Sequence, residues 1–408
     1  MTPDKYGEGG AEPMALVVGG GPAGLTAAIA VAAAGIATTM VGRRPARPDN
    51  RTTALLDGSV TALKTLGVWD LCRENAAPLK TMRIVDDTGR LWRAPEVKFA
   101  ADEIGLEAFG YNIENRHLIA ALERRASALP PLRMIEGEVR DVEPGRENVA
   151  VILANGDALL APLAIGADGR RSLCRKAAGI AIDDRAYKQV AITVCFKHAR
   201  PHCDISTEFH TNSGPFTIVP LPGNRSSLVW VLDPTDSEII TALDDIELSN
   251  EIERASHSIL GKIDVEPGRG VFPLAVATAH RFADRRIALI GEAAHVIPPI
   301  GAQGLNLGLR DAATIGELAV NAYRDGRDIG GTDVLARYDR MRRADVAGRT
   351  LAVDVLNRAL LSDFLPVQSA RGLGLYLIDR IGPLRRAVMR EGVAPAGEQP
   401  RLMRGEAL

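Results

Sequence analysis

Aromatic residues make up only 4% of the chain, so stacking platforms for single-stranded nucleic acid have little to be built from. Charge of one sign is missing too. Lys and Arg total 49 against 51 Asp and Glu, a formal net charge of -2, and no basic field points to a nucleic-acid partner. The four cysteines, Cys72, Cys174, Cys195 and Cys203, form no CxxC pair and fit no zinc framework, which leaves free thiols of a reducing compartment. His198, His202 and Cys203 cluster, but Pro201 breaks any helix between them; they read as a polar loop, and no metal is expected. Residues 1–13 have no apolar core of a signal peptide. The nearly uncharged stretch Met14 to Val41 is rich in Ala and interrupted by glycines, so it reads as a buried strand–turn–helix rather than a membrane span. A cytoplasmic protein follows, at most peripheral to the inner membrane.

The 408 residues are 46% apolar, enough for two or three domains. Ala15 to Val18 is a short apolar run, Leu25 to Ala34 an Ala-rich helix stopped by Gly35, and Ala37 to Val41 a second strand: a βαβ unit. Ser59 is placed to N-cap a helix closed by Gly67. In the middle, Phe216 to Val219 and Ser227 to Leu232 alternate around Pro222-Gly223-Asn224 as an antiparallel hairpin, with Thr81 to Val85 and Ala191 to Phe196 as further strands. Ile287 to Ile290 returns to the α/β pattern and leads into a helix through Ala319. The predicted fold is α/β: a discontinuous Rossmann-like dinucleotide domain (14–80, 111–180 and 272–332) with an inserted mixed β-sheet substrate domain (81–110 and 181–271). A C-terminal helical region follows at 333–390, with Pro366 and Pro383 as breaks, and 1–13 and 391–408 are expected as flexible tails.

Three motifs carry chemistry. Gly19-Gly20-Gly21-Pro22-Ala23-Gly24 sets glycines at the GxGxxG positions between strand and helix, where Gly21 admits a pyrophosphate to the helix N-terminus. The acid expected at the end of the second strand is replaced by Gly42, followed by Arg43 and Arg44, which also permits a 2′-phosphate reading. Asp168-Gly169 follows the strand Leu163 to Ile165, either as a plain turn or as a carboxylate aimed at a ribose or ribityl hydroxyl. The third runs from Gly291-Glu292-Ala293-Ala294-His295 through Pro298-Pro299-Ile300-Gly301-Ala302-Gln303-Gly304-Leu305-Asn306. A carboxylate after a strand, a stiff Pro-Pro segment and a new helix start suit a flavin ring that gains negative charge on reduction.

In this order the motifs resemble those of the class A flavin monooxygenases, the para-hydroxybenzoate hydroxylase-like aromatic hydroxylases, and within them the ubiquinone-biosynthesis hydroxylases. Arg51 to Leu55, Glu114-Asn115-Arg116, the Val219 to Trp230 hairpin, Phe272-Pro273-Leu274, Gly291 to Asp311 and Tyr338 to Asp345 carry the resemblance, together with the C-terminal runs at Arg371 and Pro383. It implies a noncovalent FAD whose pyrophosphate lies on Gly19, Gly21, Pro22, Ala23 and Gly24, with Val139 and Arg43 at the adenosine end and Arg51 and Arg116 at the ribityl–phosphate. Asp168 and Gly169 would serve FAD and the pyridine nucleotide, and Gly291 with Glu292 the ribityl chain. Pro299, Gly301, Ala302, Gly304, Leu305 and Asn306 would surround the flavin pyrimidine. Gly42 and Glu292, where the family has acid and aspartate, are departures expected to weaken the FAD contacts.

The implied reaction is NAD(P)H-dependent hydroxylation of a polyprenylated phenol or quinone precursor by O2, through a flavin hydroperoxide. The substrate would lie near Pro298, Pro299 and Ile300. No catalytic base stands out, and His295 is read as packing beside the flavin strand. Rival readings are a reductase or dehydrogenase of the same fold and a non-catalytic lipid-binding subunit of a biosynthetic complex. Phe364 to Met389, apolar and Arg-rich, is either a docking surface for a membrane or a complex, or a packed helix with a solvated basic face.

Overall fold

The computed structural model describes residues 12–43, 51–89, 95–298, 302–361, 380–393 and 398–408. A six-stranded sheet runs in the order Ala283–Asp284, Ile287–Leu289, Leu163–Gly166, Ala15–Val18, Thr38–Gly42, Leu132–Glu136 and is parallel except at its first strand. Its strands read as apolar runs because helices cover both faces. The first of these, α1 (Pro22–Ala33), has nine consecutive buried residues from Gly24 to Ala32.

A nine-stranded sheet is built mainly from Thr81–Asp86, Val97–Ala100, Ile182–His198, Ile205–His210, Pro215–Leu221, Arg225–Leu232 and Gly270–Ala279. One face is closed by Ile192, Val194, Phe196, Phe216, Ile218, Leu228 and Trp230, which pack with Leu248 and Ile252 from the capped helix Asp245–Ala255. A three-stranded sheet, Thr52–Leu56 with Gly110–Glu114 and Ala76–Pro78, stands between the two larger ones.

The expected hairpin is present and antiparallel, but several boundaries move. The strand expected at Ala191 to Phe196 extends over Ile182–His198 and is paired along much of its length with Gly270–Ala279. The domain boundary expected after residue 271 therefore falls inside a strand; this long ribbon continues from one unit into the other, and His295–Val296 pairs onto it. His198 ends that strand, buried, instead of lying in a loop.

Helix α2 (Asp57–Thr65) begins two residues ahead of Ser59, which is buried inside it. It starts without a side-chain cap, and the Asp57 N–H donates to Phe109 O at 3.1 Å. The helix α3 (Gln303–Arg324) is longer than expected, and α4 (Thr332–Leu361) follows. Pro383 marks the expected break: Arg380 is helical, Ile381 is not, and α5 (Gly382–Val393) opens with Pro383 in its first turn, where its missing N–H costs nothing. Pro366 lies outside the described residues.

The tail expected to be flexible is docked over its last eleven residues. Leu402 and Met403 are buried, Thr65 Oγ1 donates to Leu402 O, and the Arg401 N–H donates to Glu317 on α3 at 2.9 Å. Two apolar side chains in the four-residue turn between Pro400 and Gly405 supply the anchor that composition alone concealed.

Candidate functional site

The glycine turn joins strand Ala15–Val18 to α1. Gly19 sits at φ +122°, and a Cβ there would come within 2.1 Å of Ala167 O; a Cβ on Gly24 would come within 2.1 Å of Gly19 O. Gly21, in contrast, faces open space, with nothing within 4 Å of a Cβ position. It N-caps α1 without a side-chain bond, and the first turn holds no acid. Backbone N–H groups and the positive end of the helix are thus turned to a place an anion can reach.

A second helix start lies beside the first. A Cβ on Gly308 would come within 3.3 Å of Ala23 Cβ, and one on Gly316 within 3.2 Å of Ala30 Cβ, so α3 and α1 run parallel in close contact. Because α3 begins further ahead of that contact than α1, its N-terminus projects roughly 6 Å beyond, at about 1.5 Å per residue. It too lacks a side-chain cap, and Ala302 before it takes the left-handed φ of 54°. Asn306 locks this start in place: its Oδ1 accepts from Leu56 N at 2.9 Å, and its Nδ2 donates to Ala54 O and Ala302 O at 2.8 and 2.6 Å.

Behind the two helix starts is a buried charged hub. Asp311 accepts from the Gly291 N–H at 2.9 Å and pairs with His295 Nε2 at 2.7 Å and Arg342 Nε at 2.6 Å. Burial by itself would raise the Asp311 pKa, but His295 and Arg342, aided by the hydrogen bonds from His295 and Gly291, outweigh it and hold the carboxyl at about 2. Arg342 also donates to Asp345 at 2.6 Å. One carboxylate therefore fixes the left-handed Gly291, the strand after it and helix α4. His295 is buried, with a bracing role.

The other expected residues are placed as follows. The Asn115 N–H donates to Arg51 O, which brings Arg51 and Arg116 to one end of the small sheet. The Arg51 guanidinium lies over Phe272, 5.4 Å from its ring centre, and Arg116 pairs with Glu114 at 2.7 Å. Glu114 also pairs with Arg225, which grips Glu266, so this end of the site is tied to the large sheet. Arg43 pairs with Glu138, beside the half-buried Val139.

Gly42 has a packing reason: a Cβ would stand 2.5 Å from Gly20 N, so an acid fits there only if the glycine turn moves. Asp168 gives one carboxylate oxygen to Ser172 Oγ (2.6 Å) and the other to the Cys174 N–H (3.0 Å), organising the turn at Gly169. Glu292 is half exposed and faces Arg170 at 3.6 Å. Arg175 joins the second and third motifs by donating to Ala293 O. Gly304 is exposed, Leu305 half-buried and Pro298 buried, while Pro299, Ile300 and Gly301 lie outside the described residues.

The sequence reading did not anticipate the Asp311–Arg342 contact, whose partners are 31 residues apart. Its available signal was the presence of an acid and an arginine at apolar helix positions. Among the described residues no group of His, Cys, Asp and Glu has the arrangement of a metal site. Burial pushes the Cys72 and Cys195 thiols up to about 11 and about 12, with nearby acids adding to the effect, so neither is poised as a nucleophile.

Two parallel uncapped helix starts, one set further out than the other, suit an elongated cofactor with a pyrophosphate at one point and an electron-accepting ring at the other. The FAD binding domain family model matches residues 12–352. The chain is 36% identical to ubiquinone hydroxylase UbiL of Rhodospirillum rubrum, over 96% of this chain and 93% of that protein. It is 30% identical to the 3-demethoxyubiquinol 3-hydroxylase of Escherichia coli, over 92% and 96%. In fold it matches Klebsiella pneumoniae HpxO, solved with FAD and uric acid, with a TM-score of 0.75 at 19% identity over 94% and 97% of the two chains. The chain belongs to the ubiquinone hydroxylase family of FAD-dependent class A flavin monooxygenases.

Proposed function

We propose that this chain hydroxylates the ring of a polyprenylated phenol, a quinone precursor, using O2 and electrons from NADH or NADPH. The observation that carries this reading is an open strip across the large sheet. Thr193, Val229, Thr217, Glu208 and Ile84 stand side by side on five neighbouring strands, all half-buried, on the face opposite the aliphatic core. This face looks toward the cofactor site: Ser227, on it, bonds Thr52 Oγ1 at 2.8 Å, and Phe272, also on it, lies under Arg51. In the other direction it continues through Met82 to Phe99, on which Arg385 of α5 stacks at 4.8 Å. A ring lies at the inner end of such a strip, and an apolar tail runs outward along it.

FAD, when bound, supplies the oxygen activation; the protein's part is orientation and exclusion of water. The pyrophosphate would lie on the turn from Gly19 to Gly24. The adenosine would extend toward Arg43 and Val139, the ribityl chain toward Arg51, Arg116 and Glu292, and the flavin toward Ala302, Gly304, Leu305 and Asn306. The test is turnover of FAD-loaded protein with NADH or NADPH, isotopically labelled O2 and a phenol bearing one isoprene unit. Incorporation of one labelled oxygen into the ring supports the reading; NAD(P)H oxidation that yields only peroxide counts against it.

The tail's exit leads to α5, where Leu384 and Val388, with Ile381 just ahead of the helix, are 40%, 42% and 44% exposed beside Arg386 and Arg390. No helix among the described residues is long and apolar enough to cross a membrane. An apolar stripe flanked by arginines suits an anionic lipid surface, from which a prenylated substrate would be drawn. A double variant, Leu384→Glu with Val388→Glu, should lose flotation with anionic liposomes while keeping its flavin. Truncation is a poorer probe, because it also removes the docked Leu402 and Met403.

A further inference from the structure

The start of α3 is weak by itself. It has no side-chain cap, Ala302 before it is left-handed, and Gly304 in its first turn has no side chain to pack. Its place is therefore set by what packs against it. Two supports come from the N-terminal part of the chain: Ala23 of α1 against Gly308, and the Leu56 N–H and Ala54 O that Asn306 holds. The third comes from residues 398–408.

The turn Arg401–Arg404 packs on α2 and α3 together. Met403 Sδ stands 3.8 Å from a Cβ position on Gly58, in the first turn of α2, and Gln399 Oε1 stands 3.9 Å from the same point. On its other side Met403 shares with Gln303, Asn306 and Arg310 a cavity of about 10 Å³, room for one water at most. The thioether thus fills the space behind the α3 start, between the two helix ends that Asn306 ties. Further along, the Arg401 N–H donates to Glu317, Leu408 Cδ1 lies 3.3 Å from a Cβ position on Gly316, and Arg324 donates to Leu408 O at 3.0 Å. The segment is pinned along α3. The pyrophosphate turn is braced by other means, with Gly19 packed on Ala167 and Gly42 on Gly20.

We propose that residues 398–408 clamp the flavin end of the cofactor site, with Met403 as the positioning residue, and leave the pyrophosphate end alone. Met403 acts through Ala302 to Asn306. When the clamp loosens, the α3 start shifts and its unpaired N–H groups lose their aim at the ring. A reduced ring carries more negative charge than an oxidised one, so it loses more binding and the flavin becomes harder to reduce. This rests on the proposed placement of the flavin ring at that helix start.

The experiment titrates full-length wild type, Met403→Ala and Met403→Leu with FAD and, separately, with ADP, which reaches only the pyrophosphate and adenosine end. Met403→Ala should bind FAD about tenfold more weakly, or 1.4 kcal/mol, and ADP as wild type does. Its bound flavin should show a more negative midpoint potential. Met403→Leu refills the space and should return both FAD affinity and potential most of the way. Glu317→Ala, which releases the Arg401 N–H, should show the same split to a smaller extent.

Equal loss of FAD and ADP affinity in Met403→Ala would overturn the proposal, because a general loosening of the fold acts on both ends. Unchanged FAD affinity and potential would overturn it too. If Met403→Ala does not fold, Glu317→Ala decides by the same two titrations. Wild type that binds ADP but not FAD would instead sink the placement of the ring on which the clamp rests.

Discussion

The cofactor side and the open face of the large sheet are built by different means. The cofactor side is made of backbone: a left-handed glycine, two uncapped helix starts and an asparagine that bonds only main-chain atoms. Its determinants are contiguous in sequence, because each is a turn between one strand and one helix. The open face is made of side chains from five strands, brought into one row by register. Backbone sites tolerate few residue types and so leave a motif; a face assembled by register leaves only alternation, which any half-buried sheet shows.

That contrast can be broken from either side. The most direct break of the cofactor side is Gly24→Ala, whose Cβ would press on Gly19 O. FAD affinity should fall at least about tenfold, or 1.4 kcal/mol, read from flavin fluorescence on titration; unchanged affinity would mean the turn is not rigid. Asp311→Ala should cost about 3–5 kcal/mol of stability, since Arg342 and His295 keep their burial without the acid, measured by denaturant unfolding. Leu402→Ala should cost about 2–5 kcal/mol, and a change near zero would return the docked C-terminal segment to the status of a loose tail.

The Asp311 hub also fixes an acid limb. Its carboxyl is depressed from 3.8 to about 2, so its contribution is complete above the unfolded value and is lost as pH falls from 3.8 toward about 2. The stability gap between wild type and Asp311→Asn should therefore shrink across that window and stay flat above it. The smallest effect is expected for Arg43→Ala. Its pairing with Glu138 is solvent-exposed, and removing it should change stability by no more than about 1 kcal/mol. A larger drop in FAD affinity there would assign Arg43 to the adenosine.

The glycine turn, the strand before it and the third motif were legible because their spacing is local. Local signals misled where tertiary contacts decide. Ser59 has the chemistry of a cap but is buried within α2, two residues past its start. Gly42 reads as a lost acid, yet its Cα packs so near Gly20 that the backbone accounts for it.

By itself the sequence determined the α/β class, the dinucleotide turn and the family, because backbone conformations that only glycine or a strand-to-helix junction can adopt are written in adjacent residues. Only the tertiary structure decided that Asp311 is a hub, that residues 398–408 are docked and that one face of the large sheet lies open toward the cofactor. Each depends on atoms tens to hundreds of residues apart, whose meeting is set by sheet register and helix packing.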